Sequence, residues 1–178
     1  MIKVEKKIFA EFYFCSELSE CDRWLFEAAI NARANSQSSY YRYKVGASVL
    51  TYHDGAGKIF KGCNAERCTG SQTTHAEQNA IDTMITELGT KKILKVCIVG
   101  GQESEEVNFA RSGIVTTPPF EQIPVPCGHC LQIIWENCMG DPNVKLLSVT
   151  PDGIVAITTI GDAFPMRFGP ADLGVEYK

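Results

Sequence analysis

Helix-like and strand-like patterns alternate along this chain, and that order constrains the fold more than any other feature. Some segments repeat apolar residues at helical spacing, whereas others are continuous Ile- and Val-rich runs bounded by glycine or proline. In chain order the patterns predict a helix that opens at Ser19 and fades at 35–39, hairpin strands at 44–52 and 58–63, a helix ending at Gly89, a strand at 92–101, a helix at 127–138, and paired strands at 145–150 and 153–160. This alternation favours an α/β sandwich with a mixed sheet.

The length of the chain and two less regular segments set the expected domain organisation. At 178 residues the chain is long enough for one substantial core and short for two domains. We therefore expect a single domain over residues 1–178, with 1–18 as an N-terminal extension in which 7–14 has the pattern of an additional strand. Residues 102–126 contain an acidic run and a Pro-Pro pair without periodicity, which predicts a long irregular segment.

Charge and hydropathy exclude several classes of function. The formal net charge is −4 and the basic residues are scattered, whereas a nucleic-acid surface needs clustered lysines and arginines. Residues 1–18 mix charge into every apolar run, and no apolar stretch approaches bilayer length, so neither a signal peptide nor a membrane span is expected. These features predict a cytoplasmic protein without nucleic-acid or membrane partners. In that setting the eight cysteines serve as core residues or metal ligands rather than as disulfides.

Cys127 and Cys130 form a C-x-x-C pair at the start of a predicted helix. Such a pair is either a redox dithiol or half of a metal site. A thioredoxin-like dithiol normally follows the first strand of its fold, whereas this pair follows three strands and two helices. A metal site needs a further ligand, and His75, near the start of another predicted helix, is available. The remaining cysteines lack paired metal spacing and are expected to be buried or inert: Cys15, Cys21, Cys63, Cys68, Cys97 and Cys138.

His75, Cys127 and Cys130 are the side chains that we expect to hold a zinc ion. Each lies near a predicted helix N-terminus, where unpaired N–H groups and the helix dipole favour negative charge and so stabilise thiolates. One imidazole and two thiolates suit Zn²⁺, and three protein ligands leave the fourth tetrahedral position open for water. His129 lies inside the C-x-x-C pair and is poorly placed to reach the same ion, so a closed four-ligand site is not favoured.

Glu77 is the candidate catalytic residue. Thr73 or Thr74 is the expected N-cap of the second helix, which puts His75 and Glu77 in its first turn. A carboxylate two residues from a metal ligand need not bind the metal and can instead move a proton between water and a leaving group. H-x-E followed by P-C-x-x-C is the pattern of the zinc nucleobase deaminases. The less favoured interpretation is a structural zinc site with an incidental glutamate.

Together these residues resemble the cytidine deaminases that act on free nucleosides. The resemblance covers residues 20–174 and is carried by VGAS (45–48), KGCNAE (61–66), HAEQNAI (75–81), PCGHCLQ (126–132) and FGPADLG (168–174). It implies a three-layer α/β/α sandwich with a mixed five-stranded sheet, a zinc cofactor, and hydrolytic deamination of cytidine or 2′-deoxycytidine in pyrimidine salvage. Glu77 would take a proton from water, protonate N3 of the pyrimidine and then protonate the departing amine.

The resemblance also assigns residues to substrate binding. Asn64 and Glu66 match the pair that binds the ribose 3′-hydroxyl, although NAE by itself is typical of a polar turn after a strand. Tyr43 matches a phenylalanine beside the base, and backbone groups near Ala76 and Cys127 would hold the base edge. Phe168 matches an aromatic residue that reaches a neighbouring subunit's site in related enzymes, which implies a homo-oligomer, with a tetramer favoured over a dimer. Without the resemblance, the tyrosine and the phenylalanine would be interpreted as core aromatics.

Two features depart from the family pattern. Many short members have three cysteine ligands and an arginine directly after the catalytic glutamate, whereas this chain has His75 and Gln78. The two changes agree with each other, because two thiolates and a neutral imidazole leave Zn²⁺ with no net charge for an arginine to offset. The segment 102–126 is longer than the usual link to PCxxC, so it would be a lid, a subunit contact or a plain surface loop.

Two alternative functions stay open at this point. A deaminase of another aminopyrimidine nucleoside, such as a blasticidin S-like antibiotic, would share the zinc motif, but Asn64, Glu66 and FGPADLG favour cytidine. A non-catalytic, zinc-stabilised binding module would keep the ligands and would have no need for Glu77. Editing of RNA or DNA is disfavoured by the acidic balance and by the lack of a stripe of aromatic and basic residues.

Overall fold

A mixed sheet of six strands runs through the centre of the protein. The computed structural model describes residues 2–3, 5–108, 110–111 and 123–176. The strands are β1 (Glu11–Phe14), β2 (Tyr43–His53), β3 (Ala56–Cys63), β4 (Ile93–Gln102), β5 (Lys145–Val149) and β6 (Ile154–Thr159). Their order across the sheet is β1-β6-β5-β4-β2-β3. β4 and β5 run parallel, and the other neighbouring pairs run antiparallel.

Helices cover both faces of this sheet. They are α1 (Glu20–Arg33), α2 (Ala76–Leu88), α3 (Gly128–Asn137) and the short α4 (Ile160–Ala163). Phe26 of α1 is buried on one face in a cluster with Val99. Ile81 of α2 and Ile134 of α3 are buried on the other face in a cluster with Val96. The predicted three-layer α/β/α sandwich with a mixed sheet is confirmed. No helix in the described part of the chain is long and apolar enough to cross a membrane.

The prediction of five strands is wrong, because the N-terminal extension adds a sixth strand to one edge of the sheet. The segment 7–14 has the pattern of an extra strand, and β1 forms within it and pairs antiparallel with β6 along its whole length. Without β1, β6 would be an edge strand with a row of unpaired N–H and C=O groups. The extension therefore pairs the outer edge of β6, and the short β1 becomes the edge strand on that side of the sheet. The expectation of a single domain over 1–178 stays a prediction.

The turn between β2 and β3 lies in the predicted turn sequence HDGAG. Asp54 and Gly55 have positive φ angles of 50° and 81°, and they lie between the paired residues His53 and Ala56. Positive φ at both central positions is the pattern of a type I′ turn, whose twist matches that of the flanking strands. The turn thereby fixes the register of β2 and β3, and the end of β3 leads directly into the site.

Glycine at position 62 allows β3 and α2 to approach each other closely. A Cβ atom on Gly62 would lie 2.3 Å from the backbone nitrogen of Ala80 and 2.7 Å from the carbonyl oxygen of Ala76. Both are backbone atoms of the helix, which cannot turn aside as a flexible side chain can. Because β3 carries no side chain at this point, the first turns of α2 lie directly against the strand.

The long segment predicted at 102–126 lies partly outside the described residues, which do not include 109 and 112–122. Its first part is tied to α1, because the Arg33 guanidinium donates a hydrogen bond to the carbonyl of Gln102 at 2.8 Å and to the carbonyl three residues further on at 3.0 Å. Its last part leads into α3. The described ends of the segment are therefore attached to elements on opposite faces of the sheet.

Candidate active site

The start of α2 brings His75 to the site. Thr74 forms a β-bridge with Ala65 through hydrogen bonds of 3.0 Å in both directions, and it therefore lies outside the helix start. His75 is the N-cap: its backbone is extended, at φ −81° and ψ 151°, and its carbonyl accepts a hydrogen bond from the Asn79 N–H at 2.9 Å. The prediction of Thr73 or Thr74 as the N-cap is wrong, and His75 precedes the first turn instead of lying in it.

The start of α3 brings the two cysteines to the site in a similar way. Cys127 is the N-cap, with φ −67° and ψ 166°, and its carbonyl accepts a hydrogen bond from the Leu131 N–H at 2.8 Å. Cys130 lies in the first turn and is completely buried, whereas Cys127 is exposed. Neither Cys127 nor His75 uses its side chain to cap its helix. Both cap side chains are therefore available to a ligand.

The three predicted ligand atoms converge on one point. His75 Nδ1 lies 3.5 Å from Cys127 Sγ and 3.3 Å from Cys130 Sγ, and all three atoms are within 4.8 Å of one another. Tetrahedral zinc with Zn–S bonds of about 2.3 Å and a Zn–N bond of about 2.05 Å separates nitrogen and sulfur ligands by about 3.6 Å. The donor set and its spacing therefore fit zinc. His129 is exposed and lies outside this set of ligands. The centroid of its ring is 5.7 Å from the centroid of the His75 ring.

Glu77, the second residue of α2, is a buried carboxylate beside these ligands. Glu77 is only 6% exposed to solvent. Burial first, and then the nearby Glu77 carboxylate, raise the pKa of the Cys130 thiol well above its ordinary value. Coordination to zinc opposes both effects, because a coordinated thiol is deprotonated. The site thus combines a set of metal ligands with a carboxylate that can accept a proton.

A pocket of about 360 Å³ opens onto the ligands. Its lining includes His75, Cys127, Tyr43, Asn64, Glu66, Ala76 and Glu77, all of which the sequence analysis singles out. Residues that the sequence analysis missed also line it, among them Tyr41, Thr73, Gly100, Pro124 and Val125. Most of these lie in loops, where side-chain periodicity carries no information. Two sequence features point to this region: the glycine pair near the end of β4, and the long segment 102–126, for which a lid is one of the predicted roles.

Asn64 and Glu66 follow β3 directly, and backbone groups hold both side chains in place. Asn64 Oδ1 accepts a hydrogen bond from the Val45 N–H at 2.8 Å, and Asn64 Nδ2 donates to the Tyr43 carbonyl at 3.0 Å. Glu66 Oε2 accepts hydrogen bonds from the Tyr40 N–H at 2.7 Å and from the next N–H at 3.2 Å. Within the described residues, Glu66 Oε1 receives no hydrogen bond. One oxygen of a buried carboxylate is therefore available in the pocket.

Tyr43 begins β2 and packs beside Gly100 of β4. A Cβ atom on Gly100 would lie 3.0 Å from Tyr43 Oη and 3.3 Å from Pro124 Cβ, so a side chain here would displace the tyrosine. Burial, and then the Glu105 carboxylate, raise the pKa of the Tyr43 hydroxyl. The hydroxyl therefore keeps its proton at neutral pH and is a hydrogen-bond donor in the pocket wall.

Phe168 lies away from this pocket, in the C-terminal segment. It is 56% exposed and is not among the lining residues. Its carbonyl accepts a hydrogen bond from Gln132 Nε2 of α3 at 3.0 Å, and the Arg167 guanidinium stacks 4.1 Å from the ring centroid of Trp135. These contacts attach the segment to the helix that carries the cysteine ligands. Other apolar residues of the segment are also exposed, namely Met166, Leu173 and Val175.

The fold and the site together define a class of protein. Zinc-type ligands at two helix starts, with a buried glutamate beside them in an α/β/α sandwich, are typical of zinc hydrolases that deaminate nucleobases. The chain belongs to the cytidine and deoxycytidylate deaminase family, because the model of that family's zinc-binding region matches residues 19–145. This range contains Glu77 and all three converging ligands.

Proteins of similar sequence and structure are named cytidine deaminases. One from Sporosarcina psychrophila is 29% identical over 143 residues, which are 80% of this chain and 87% of that protein. One from Halalkalibacterium halodurans is 26% identical over 149 residues, which are 84% of this chain and 95% of that protein. The crystal structure of the cytidine deaminase from Burkholderia pseudomallei has a TM-score of 0.64 and 27% identity, and the match covers 85% of this chain and 100% of that chain.

Proposed function

We propose that this protein is a zinc-dependent deaminase of free pyrimidine nucleosides, which converts cytidine and 2′-deoxycytidine to uridine and 2′-deoxyuridine with release of ammonia. The observation that carries the proposal is the convergence of three zinc-type ligands beside the buried Glu77, in a pocket that Asn64 and Glu66 also line. The volume of about 360 Å³ is in the usual range for small-molecule sites. The names of the similar proteins support the same reaction.

The charge of the pocket favours a nucleoside over a nucleotide, both of which the family's name includes. Glu66 and Glu77 line the pocket, and no lysine or arginine lies in the lining that the structure describes. A 5′-phosphate would bring about two negative charges at neutral pH. Two carboxylates and no cation leave those charges uncompensated, so we propose an unphosphorylated substrate.

Glu77 is the residue that moves protons in the proposed reaction. Zinc held by His75, Cys127 and Cys130 would act as a Lewis acid that lowers the pKa of a water molecule. Glu77 accepts a proton from the attacking water as its oxygen bonds to C4 of the base, and it delivers that proton to N3. Glu77 then takes the second water-derived proton from the hydroxyl on C4 and delivers it to the departing amine, so C4 becomes a carbonyl and one water is consumed for each ammonia released.

Asn64 and Glu66 are proposed to bind the ribose. Two backbone N–H groups already hold Glu66 Oε2, so Oε1 is oriented to accept a hydrogen bond from the 3′-hydroxyl. The Asn64 amide lies two residues earlier and is fixed by β2. Tyr43 is proposed to lie beside the base, and the backbone of Ala76 to bind the base edge. The ribose contacts would thus come from two side chains that backbone hydrogen bonds hold in place just after β3.

Phe168 is proposed to complete the pocket of a neighbouring subunit in a homo-oligomer, with a tetramer favoured and a dimer as the alternative. Its exposure, together with that of Met166, Leu173 and Val175, leaves an apolar strip along the C-terminal segment. Exposed apolar strips of this kind are typical of protein interfaces. The attachment of the segment to α3 through Gln132 would keep the strip in a fixed orientation.

We also propose that the enzyme works in pyrimidine salvage in the cytoplasm. All eight cysteines of the chain are free thiols, including two exposed ones, Cys68 and Cys127. Free thiols persist in the reducing cytosol, whereas disulfides are common in oxidising compartments. A thiolate-based metal site needs the same reducing conditions, since oxidation of either cysteine would remove a ligand.

The proposal is tested by the loss of ultraviolet absorbance when nucleosides are added to the zinc-loaded protein. Wild-type protein should convert cytidine and 2′-deoxycytidine and should act much more slowly on 2′-deoxycytidylate. Glu77→Gln should lower kcat on the order of 10²- to 10⁴-fold while the zinc content stays unchanged. Asp82→Asn is the matched control, because it makes the same kind of change at an exposed position of the same helix and should keep full activity.

Three outcomes would contradict parts of the proposal. A zinc-loaded wild-type protein that leaves both nucleosides unchanged is not a cytidine deaminase, and conversion of blasticidin S in the same assay would then favour the alternative substrate. Full activity of Glu77→Gln would remove the proton-transfer role. A faster reaction with 2′-deoxycytidylate than with 2′-deoxycytidine would overturn the argument from pocket charge.

A further inference from the structure

A second cavity, of about 140 Å³, lies between the N-terminal extension and the helix that carries the cysteine ligands. Its lining is mostly apolar and includes Ile8, Phe9, Val125, Leu131, Ser148 and Ala156. We call it the rear cavity. Val125 lines both the rear cavity and the larger pocket described above, so the two spaces share part of a wall.

The Ser148 hydroxyl has no partner at the rear cavity. Ser148 is 2% exposed, and within the described residues its Oγ is the one buried side-chain nitrogen or oxygen atom without a hydrogen bond. Ser148 lies opposite Ala156 in the β5–β6 ladder, so the two side chains face the same side of the sheet. Ser48, a comparable buried serine of β2, donates to the Leu25 carbonyl at 2.7 Å. A buried hydroxyl without a hydrogen-bond partner is destabilising, so a bound molecule that supplies a partner to Ser148 would be favoured.

Besides Ser148, the lining holds two polar side chains, Thr158 and Asp162, and each already has a hydrogen-bond partner. Thr158 Oγ1 donates to the Phe9 carbonyl at 2.6 Å, and Asp162 Oδ2 accepts from Thr159 Oγ1 at 3.2 Å. A buried water molecule needs two to four polar partners, and the apolar walls of this cavity offer it few beyond Ser148. A molecule with an apolar body and a single polar group matches the walls better than water does.

We infer that the rear cavity is a binding site for a small, mostly apolar molecule with one hydrogen-bonding group, which the Ser148 hydroxyl recognises. An apolar cavity of about 150 Å³ is large enough for benzene, so the occupant has about the size of one aromatic ring. The N-terminal extension supplies Ile8 and Phe9 to this site, which gives the extension a second role beyond adding an edge strand to the sheet. The occupant would also touch Val125, a residue of the larger pocket.

The site is tested with phenol and toluene, which have similar size and differ in the hydroxyl group. Each probe is titrated into the full-length, zinc-loaded protein and followed by ligand-observed NMR. Both should bind saturably with one site per chain. Ser148→Ala should reduce the ratio of phenol affinity to toluene affinity by about three- to tenfold, because it removes one hydrogen bond. Using the ratio cancels the difference in hydration between the two probes.

Ala156→Leu fills the cavity and should abolish the binding of both probes while circular dichroism shows a folded protein. If this variant does not fold, Ala163→Leu fills the same space from α4 and replaces it. The proposal is overturned if wild-type protein binds neither probe, or if a folded, cavity-filled variant binds them as well as the wild type. It is also overturned if probe binding weakens as protein concentration rises, because a side chain from a second copy of the chain would then occupy the cavity.

Discussion

The three long helices of this protein begin in two different ways. α1 begins at Ser19, whose hydroxyl accepts a hydrogen bond from the Asp22 N–H at 3.2 Å and donates to the Asp22 carboxylate at 2.7 Å. α2 and α3 begin at His75 and Cys127, whose side chains make no capping hydrogen bond to their own helices. The helix that packs on the far face of the sheet has a side-chain cap, whereas the two helices of the candidate active site do not.

This difference shows that α2 and α3 lack a stabilising side-chain cap because their cap positions hold candidate metal ligands. A serine cap stabilises a helix by about 0.5–2 kcal/mol relative to alanine, and α2 and α3 lack that contribution. Their first N–H groups keep no capping oxygen, so both helix dipoles favour negative charge at the ligands. Packing compensates, since Ile81 and Met84 of α2 and Ile134 of α3 are completely buried.

Among the variants that test this difference between helix starts, Cys130→Ala is expected to have the largest effect. Two remaining ligands cannot hold the metal ion, so zinc content should fall to a trace and activity should fall on the order of 10³-fold or more. Cys138→Ala is the control, because Cys138 is as buried as Cys130 but caps the C-terminal end of the same helix. It should keep zinc and activity and lose only stability. Zinc retained by the Cys130→Ala protein would contradict the assignment of the ligands.

His75→Asn should restore a helix cap and destroy a ligand at the same time. Asparagine is among the best N-cap residues, so the free energy of unfolding of the zinc-free protein should rise by about 0.5–2 kcal/mol. Zinc affinity should fall by more than about a hundredfold, since even partners behind the ligands affect it by tenfold or more. Urea denaturation with a chelator and a zinc titration measure the two effects. His129→Asn, the same change at an exposed residue of α3, should alter neither, and a less stable zinc-free His75→Asn protein would contradict the comparison.

The pH dependence of zinc binding should reveal the buried thiol of α3. Because burial and Glu77 raise the pKa of Cys130, its thiol holds a proton at neutral pH in the absence of metal, and zinc must displace that proton. Apparent zinc affinity should therefore rise at least about tenfold for each pH unit between about pH 6 and pH 8. Zinc titrations in buffers of different ionisation enthalpy measure the protons released. An affinity that does not change with pH would mean that Cys130 is already a thiolate.

The sequence was sufficient for features that depend on neighbouring residues. The Asp54-Gly55 turn, the Ser19 cap and the start of α3 at the C-x-x-C pair are all local patterns, and the structure contains each of them. The ligand spacing H-x-E and P-C-x-x-C is local as well, although only the fold brings its two halves together. Local chemistry therefore predicts the starts of α1 and α3, and the sheet order decides which helix starts meet.

The errors arose where a distant contact decides the local structure. Thr74 is a better N-cap than His75 by residue type, but its bridge to Ala65 excludes it from the helix start. β1 is only four residues long, and its partner β6 lies about 140 positions later, so no nearby pattern reveals the pairing. Pro124 and Val125 reach the pocket from the end of segment 102–126, and nothing in their own sequence decides between the three roles predicted for that segment.

The smallest effect is expected from Ser19→Ala, which tests the same difference at the capped helix, α1. Loss of the cap should lower the free energy of unfolding by about 1 kcal/mol, because one N–H at the start of α1 loses its acceptor. Zinc content and kcat should stay unchanged, since α1 packs on the far face of the sheet. Urea denaturation at neutral pH, together with the activity assay, measures both. A loss of zinc in this variant would mean that the two kinds of helix start are coupled.

The same variant has a pH dependence of known sign. Burial raises the pKa of Asp22. Hydrogen bonds from Lys95 and Ser19 lower it by more than burial raises it, so the net effect is a lowered pKa. A carboxylate with a lowered pKa in the folded state contributes stability above its unfolded pKa and loses that contribution as pH falls through the folded value. The stability difference between wild type and Ser19→Ala should therefore be largest near neutral pH and smaller in acid, by less than about 1 kcal/mol, because the pair is partly solvated. A difference that stays the same in acid would show that the Ser19 hydroxyl caps α1 through the backbone N–H alone.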